Sequence, residues 1–352
     1  MDNLTHTLMG LTLVRAGVGR DTRGATAAML LASNAPDLDI VSAITGGAVP
    51  YLAAHRGPTH GPLGIVGLAA ASAVIVWTIL KWRGPRETVT AALLGRLIAV
   101  ALVGSMLHVL MDLPTSYGVR LFSPFSTTWY ALDWLPIIDI YLWALLGLGL
   151  TAMRLQQEQR TRIARVVLAG VVLFYAGRAG AQHHALGLAA EYRADGARVE
   201  CATAPVLSTH PAVIEARMAG PGACLQAAAL PTFLSPLTWQ LIRQQTDGYE
   251  LRQVSLLSPS AESTRLWIPS ESDEWVAAAR RTHTARVFLN FSRLPATRSV
   301  TDRDGSHQVR LVDVRFIGGP FQWDQEPQVR PPFVATVVLA PTGAVLREGL
   351  GP

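Results

Sequence analysis

Lysine is almost missing from this 352-residue chain; Lys81 is the only one. Charge of either sign is scarce, at 16% of residues, where an ordinary soluble protein carries about 25%. The deficit is uneven. Residues 1–180 hold nearly all the long apolar runs, and 181–352 read as an ordinary polar globular sequence. This excludes a wholly soluble chain and places a domain boundary near residue 180. The start, MDNLTHTLMG, lacks a basic n-region and a small-residue cleavage site, so insertion is expected to rest on internal segments. Internal repeats and low-complexity tracts are also lacking. Cysteine is limited to Cys201 and Cys224, both in the C-terminal half.

A net charge of +5 might suggest nucleic acid, but the arginines fall mostly in short connections between apolar runs. Membrane topology explains that placement better, and no nucleic-acid partner is expected. Pro62–Leu80 is an uncharged run of the length needed to span a bilayer, where about 20 residues are required. Thr90–Leu110, Trp134–Met153 and the weaker Arg165–Ala179 are further candidates. Ala25–Ile44 is another, broken by Asn34, Asp37 and Asp39, and residues 4–18 form a short apolar helix. The expected fold is an α-helical transmembrane bundle of about four to six helices over 1–180, then a soluble α+β domain over 181–352.

The basic residues sort by connection. Arg15, Arg20 and Arg23, then Lys81, Arg83 and Arg86, then Arg154, Arg160 and Arg162 fall on one side if every helix spans. The other side holds only Arg56 and Arg120. The positive-inside rule makes the arginine-rich side cytoplasmic and the C-terminal domain extracytoplasmic, which in a bacterial cell is the periplasm or cell exterior. A Cys201–Cys224 disulfide is permitted there. In the C-terminal half, Tyr249–Leu257, Arg286–Ser292, Gln308–Ile317 and Val334–Leu339 read as strands, and Ser272–Thr282 as a helix with acid at its start and arginine at its end.

Polar groups interrupt or border the apolar helices: His6; Asn34, Asp37 and Asp39 in NAPDLD; His55 and His60 in HRGPTH; His108 and Asp112 in HVLMD; and Asp139. Ionisable residues are costly in spanning segments and mark functional sites by default. The topology carries every group to one membrane face, opposite the arginines. All four histidines of the first 180 residues belong to the set. His108 and Asp112, four apart, project from one helical face, and imidazole with carboxylate suits catalytic zinc. Taken singly, each group has a plainer explanation: a capping histidine, a polar loop, or an Asp139 paired with Arg56 or Arg120. His183 and His184, at the end of the last helix, read as interfacial.

NLTHTLMGLTLVRAG, SNAPDLDIV, HRGPTHGPLG and HVLMDLPTSYGVRLFSPFS, in that order, resemble the YdjM-like family of bacterial inner-membrane, metal-dependent hydrolases. SPLTWQLIRQQTDGYEL, RVFLNFSRLP and VRLVDVRF resemble the C-terminal region of its longer members. The resemblance implies a divalent metal, with Zn²⁺ expected, and carries over His6, Asp37, Asp39, His55, His60, His108 and Asp112 as metal-site residues. A fainter likeness to zinc-dependent phospholipases C and single-strand nucleases favours a phosphoester. Their N-terminal tryptophan ligand has no counterpart here.

The expected activity is metal-assisted hydrolysis of a lipid-linked or envelope substrate at the external face of the bilayer. His55, His60, His108 and Asp112 lead as ligands. Asp37 and Asp39 are expected to bridge a second metal or to act as base, Arg56 to clamp a phosphate or carboxylate, and Thr5 and Thr59 to support neighbouring histidines. An ion-coupled transporter, or a membrane-anchored interaction protein with a structural metal, are the alternative classes. The lack of an inverted repeat weighs against the transporter. The C-terminal half carries no catalytic constellation.

Overall fold

The computed structural model describes residues 1–85, 88–194, 197–201, 224–259, 265–317, 323 and 331–351. They form two compact units. One comprises Met1–Ile40 and His55–Gly180, the other Val41–Ala54 and Ala181–Pro352.

The first unit is helical. α1 (Asn3–Ala16) is capped by Asp2, whose carboxylate accepts from the Thr5 amide at 3.0 Å. It stops at Gly17, where φ is +121°, a conformation that glycine adopts without steric cost. α2 (Ala25–Ala32) gives way to a 3₁₀ turn over Ala35–Ile40, so the polar NAPDLD segment does break the helix. α3 (Val41–Gly46) and α4 (Ala48–Ala54) belong to the second unit. α5 (Pro62–Arg83), α6 (Ala91–Asp112), α7 (Ile140–Leu155) and α8 (Arg160–Ala190) follow.

At 1.5 Å per residue, the 22 residues of α5 or α6 extend about 33 Å, enough to cross a hydrocarbon core of about 30 Å. Three helices are long and apolar enough to span, or four if the broken Ala25–Gly46 counts as one. The surface agrees with this: Leu63, Val66, Val74, Ile75 and Ile79 of α5 are each at least 40% exposed, as on a helix that faces lipid. α7 starts six residues later than the apolar run suggests. Leu132 and Trp134 instead donate their amides to Leu113 and Pro114 carbonyls, holding 113–139 as an ordered loop. α8 runs eleven residues past Ala179.

Small residues let α2, α5 and α6 approach closely. Ala28, Ala32, Ala69, Ala73 and Ala101 pack with Met29 and Leu97. A Cβ on Gly104 would sit 3.0 Å from the Met29 carbonyl oxygen, and Ser105 Oγ donates to Ala32 O at 3.1 Å. This seam fixes the height of α6 against the end of α2.

The second unit is layered. β1 (Glu191–Ala194) and β2 (Ala197–Glu200) form a hairpin. β3 (Cys224–Pro231), β4 (Thr238–Gln245), β5 (Gly248–Ser255) and β6 (Arg265–Pro269) make an antiparallel sheet in sequence order. α9 (Glu274–Ala279) and α10 (His283–Phe291) precede β7 (Pro295–Thr301), β8 (His307–Asp313), β9 (Val334–Leu339) and β10 (Val345–Leu350), a second antiparallel sheet ordered β10-β9-β8-β7.

Strand alternation builds the layers. Ala227, Ala229, Trp239 and Leu241 pack on Ala185 and Ala189 at the end of α8. Their alternates Ala228, Leu230 and Ile242 pack on Ala296 and Val312 of the second sheet. Val309 and Leu311 turn the other way, onto α9 and α10. The expected strand at Arg286–Ser292 is therefore corrected to helix α10. Thr282 caps it, and Thr284, Ala285, Phe288 and Phe291 recur at helical spacing on its buried face. Cys201 and Cys224 are joined by a disulfide.

Candidate metal centre

The helices of the first unit have two chemically distinct ends. At one end, Arg15 and Arg20 share cavities with Arg160 at the start of α8, and Arg23 Nη1 reaches Thr88 beyond α5. Arg86 lies outside the described residues. At the other end are the start of α1, the close of α6 and the loops between them. There Trp143 of α7 donates to Thr5 Oγ1 at 2.8 Å, and the Met1 amino group meets the Asp112 carboxylate.

Four side chains converge at this second end: Asp37, His60, His108 and Asp112. His108 Nε2 lies 3.1 Å from His60 Nε2, 3.3 Å from Asp112 Oδ2 and 3.5 Å from Asp37 Oδ1. His60 Nε2 lies 3.2 Å from Asp112 Oδ2 and 3.8 Å from Asp37 Oδ1. A tetrahedral zinc with bonds of about 2.0–2.2 Å separates its donors by about 3.3–3.5 Å. The five edges scatter about that value.

The hydrogen-bond network sets the tautomers. His108 Nδ1 is 2.8 Å from the Ser33 carbonyl, which only accepts, so Nδ1 carries the proton and Nε2 a lone pair. His60 Nδ1 is 2.9 Å from Thr59 Oγ1, and that hydroxyl donates to Asp39 Oδ2 at 3.3 Å. With that donation in place Thr59 accepts from His60 Nδ1, the tautomer that frees His60 Nε2 for a metal; with Thr59 donating to Nδ1 instead, His60 Nε2–H donates to His108 Nε2. In the first tautomer two lone pairs face each other at 3.1 Å beside two carboxylates, with three of the four side chains fully buried. A cation within that group would use both lone pairs and both carboxylates. The donor set fits a divalent ion.

The remaining sequence candidates take other places. Asp39, expected as a ligand, organises the HRGPTH loop instead. It accepts from His55 Nδ1 at 2.9 Å, from the Arg56 amide at 2.8 Å and from Thr59. His55 is thereby turned onto Asp39 and edges against Tyr117; it is not among the four converging donors. Arg56, expected to clamp a substrate anion, is 3% exposed. Its Nη2 pairs with Asp112 Oδ1 at 3.0 Å, and its Nη1 donates to Thr115 Oγ1 and Gly118 O. Its φ is +51°, a strained conformation held by the Asp39 contact and by Arg120, whose amide donates to Arg56 O at 3.0 Å.

His6 stacks on His108 with ring centroids 3.8 Å apart. It is fully buried, and neither ring nitrogen has a hydrogen-bond partner among the described residues. Its Nε2 is 3.7 Å from Asp112 Oδ1. Thr5, expected to support His6, bonds Asp2 instead. Asn34 ties α2 to α1 through Thr7 and the Leu30 carbonyl. His183 and His184 are exposed on α8.

Asp139 caps α7, accepting from the Tyr141 and Leu142 amides at 3.0 Å, rather than pairing with Arg56 or Arg120. Asp139→Ala is therefore expected to cost about 1 kcal/mol of stability and to leave metal content unchanged. Thermal unfolding in detergent with parallel metal analysis checks both.

Sequence reasoning missed several contributors. The Ser33 carbonyl and the Met1 amino group carry no side-chain signal. Thr115 and Gly118 lie within the HVLMDLPTSYG block, and their spacing after Asp112 places them around Arg56. Gly61 is needed for shape: a Cβ there would fall 1.8 Å from the Ser123 carbonyl oxygen, so the HRGPTHG loop packs only with glycine at that point.

A family model described as YdjM inner membrane protein matches residues 1–185. No curated protein and no solved structure matches the chain. The match covers every residue of the centre and more than half of the sequence, and the chain belongs to the YdjM inner membrane protein family.

Proposed function

We propose that this protein is a membrane-bound, metal-dependent hydrolase acting at the extracytoplasmic face, on a phosphoester or lipid-linked envelope substrate. The observation that carries the reading is the convergence of two imidazole nitrogens and two carboxylates within 4.8 Å. A divalent cation held there, zinc by donor type, would lower the pKa of a bound water to about 7 and polarise a phosphoryl or acyl oxygen.

The chain's own groups prepare the site. Asp39 fixes the loop that carries His60, Thr59 holds His60 Nδ1, and Arg56 neutralises the outer oxygen of Asp112. Asp37 is the one ligand side chain with exposed surface, at 16%, so water and substrate enter on its side. Its neighbours Leu38 and Ile40 are 59% and 54% exposed, apolar surface beside the mouth that suits a substrate with a lipid tail. His6 is buried against Asp112 Oδ1, an oxygen already paired with Arg56 and the Met1 amino group; His6→Ala is therefore expected to leave the four-donor site filled.

The arginine-poor end of the helices supports an external centre, and the Cys201–Cys224 disulfide supports an oxidising compartment for the second unit. Reporter fusions test this: one after Arg160 is expected to read cytoplasmic and one on the C-terminal domain external. Thiol titration under denaturation is expected to find no free cysteine. Reduction is expected to cost the second unit roughly 3 kcal/mol, the chain-entropy value for a loop of this size.

One observation favours a second reading. Four protein donors complete a tetrahedron by themselves, as in structural zinc sites. Metal analysis of purified protein, paired with a screen of phospholipids and chromogenic phosphoesters, separates the two. Metal with turnover supports the hydrolase, metal without turnover the structural role, and cation uptake into vesicles a carrier. Protein purified without metal and unable to bind it overturns all three.

A further inference from the structure

The arginine-rich end of the first unit holds two neighbouring cavities, of about 430 and 410 Å³. Arg15 and Arg160 line both, Arg20 lines the first and Arg154 the second. No acidic side chain lines either. None of the four guanidinium groups has a hydrogen bond or ion pair among the described residues, and all four side chains are exposed. Glu158 borders only a further cavity beside Arg20, so the four positive charges around the shared space favour an anion within it.

The walls narrow the choice of anion. Leu11 of α1 and Leu150 of α7 form one side of the second cavity, so basic groups sit directly above an apolar helix seam. The start of α2, which no side chain caps, lines the first cavity and adds backbone N–H groups suited to phosphate. A charged rim over apolar walls, at the end of membrane helices, matches a phospholipid whose headgroup is anionic. A nucleic acid or acidic peptide has no use for the Leu11–Leu150 wall.

We infer that this end of the bundle is a binding site for an anionic phospholipid, with its phosphate among Arg15, Arg20, Arg154 and Arg160 and its acyl chains along α1 and α7. The site is separate from the metal centre and does not depend on the hydrolase reading.

The test uses the full-length protein purified in detergent. Phosphatidylglycerol, phosphatidylcholine and inorganic phosphate are titrated, with binding read by native mass spectrometry and by thermal unfolding. Phosphatidylglycerol is expected to bind more tightly than phosphatidylcholine. An arginine near an anionic lipid contributes about 1 kcal/mol, so the Arg15→Gln/Arg160→Gln double variant is expected to lose roughly thirtyfold in phosphatidylglycerol affinity. Its phosphatidylcholine affinity and metal content should not change. Equal affinity of the unmodified protein for both lipids overturns the proposal, with no variant needed. So does a double variant that keeps its preference, or inorganic phosphate that stabilises the protein as well as the anionic lipid does.

Discussion

His108→Ala is expected to empty the metal centre and abolish turnover while the protein still inserts and folds. His108 supplies one of four converging donors, and its Nε2 lies within 3.5 Å of the other three. No neighbour can replace it: His6 stacks on its face rather than pointing along its Nε2 direction. Asp112→Ala should behave alike, because Oδ2 faces both histidines. Loss of a supporting hydrogen bond to a metal ligand typically costs 10–100-fold, and loss of a ligand should exceed that. Activity should fall at least as far as occupancy, since the ligand field also sets the acidity of the bound water. Metal content and rate measured on the same preparation check the order. A His108→Ala protein with full metal and full rate removes this cluster from consideration as the active centre.

The residue types of the centre were legible, and the ranking within them was not. Helical spacing and the convergence of polar groups at one end point to His55, His60, His108 and Asp112 as leading ligands, and the last three come together in the structure. The choice between Asp37 and Asp39 turned on geometry that spacing cannot supply. The segment that carries them is a 3₁₀ turn, with three residues per turn, so positions two apart point in directions about 120° from each other. One carboxylate faces the histidines and the other faces the loop. His55 followed Asp39 for the same reason.

Other differences have equally local causes. The α10 segment RVFLNFS is rich in β-formers, which masked the helical recurrence of Thr284, Ala285, Phe288 and Phe291. Tertiary packing overrides propensity there. The late start of α7 follows from backbone hydrogen bonds between 113–114 and 132–135, pairings that no local pattern announces. The excursion of Val41–Ala54 into the second unit was invisible because its apolar composition resembles a continuing span.

Arg56→Ala is expected to destabilise the first unit by about 3–5 kcal/mol, the usual cost of leaving one member of a buried ion pair alone. Both partners are buried, with side-chain exposures of 4% for Arg56 and 0% for Asp112. The guanidinium also satisfies Thr115 Oγ1 and the Gly118 carbonyl and lies 4.7 Å above the Tyr117 ring, so alanine leaves several polar groups and a cavity together. The loss should depend on metal. With a cation bound at Oδ2, the Asp112 charge keeps a partner, and the variant should unfold closer to the unmodified protein. With metal chelated, the carboxylate keeps only the Met1 amino group, and the gap should widen. Arg56→Lys keeps the charge but not the planar fork that serves Asp112 and Thr115 at once, and should fall between. A substrate clamp would give another pattern, a raised KM with unfolding temperature and metal content unchanged. Thermal unfolding of the three proteins, with and without chelator, distinguishes the roles: a chelator-independent difference removes Arg56 from the support of the metal site.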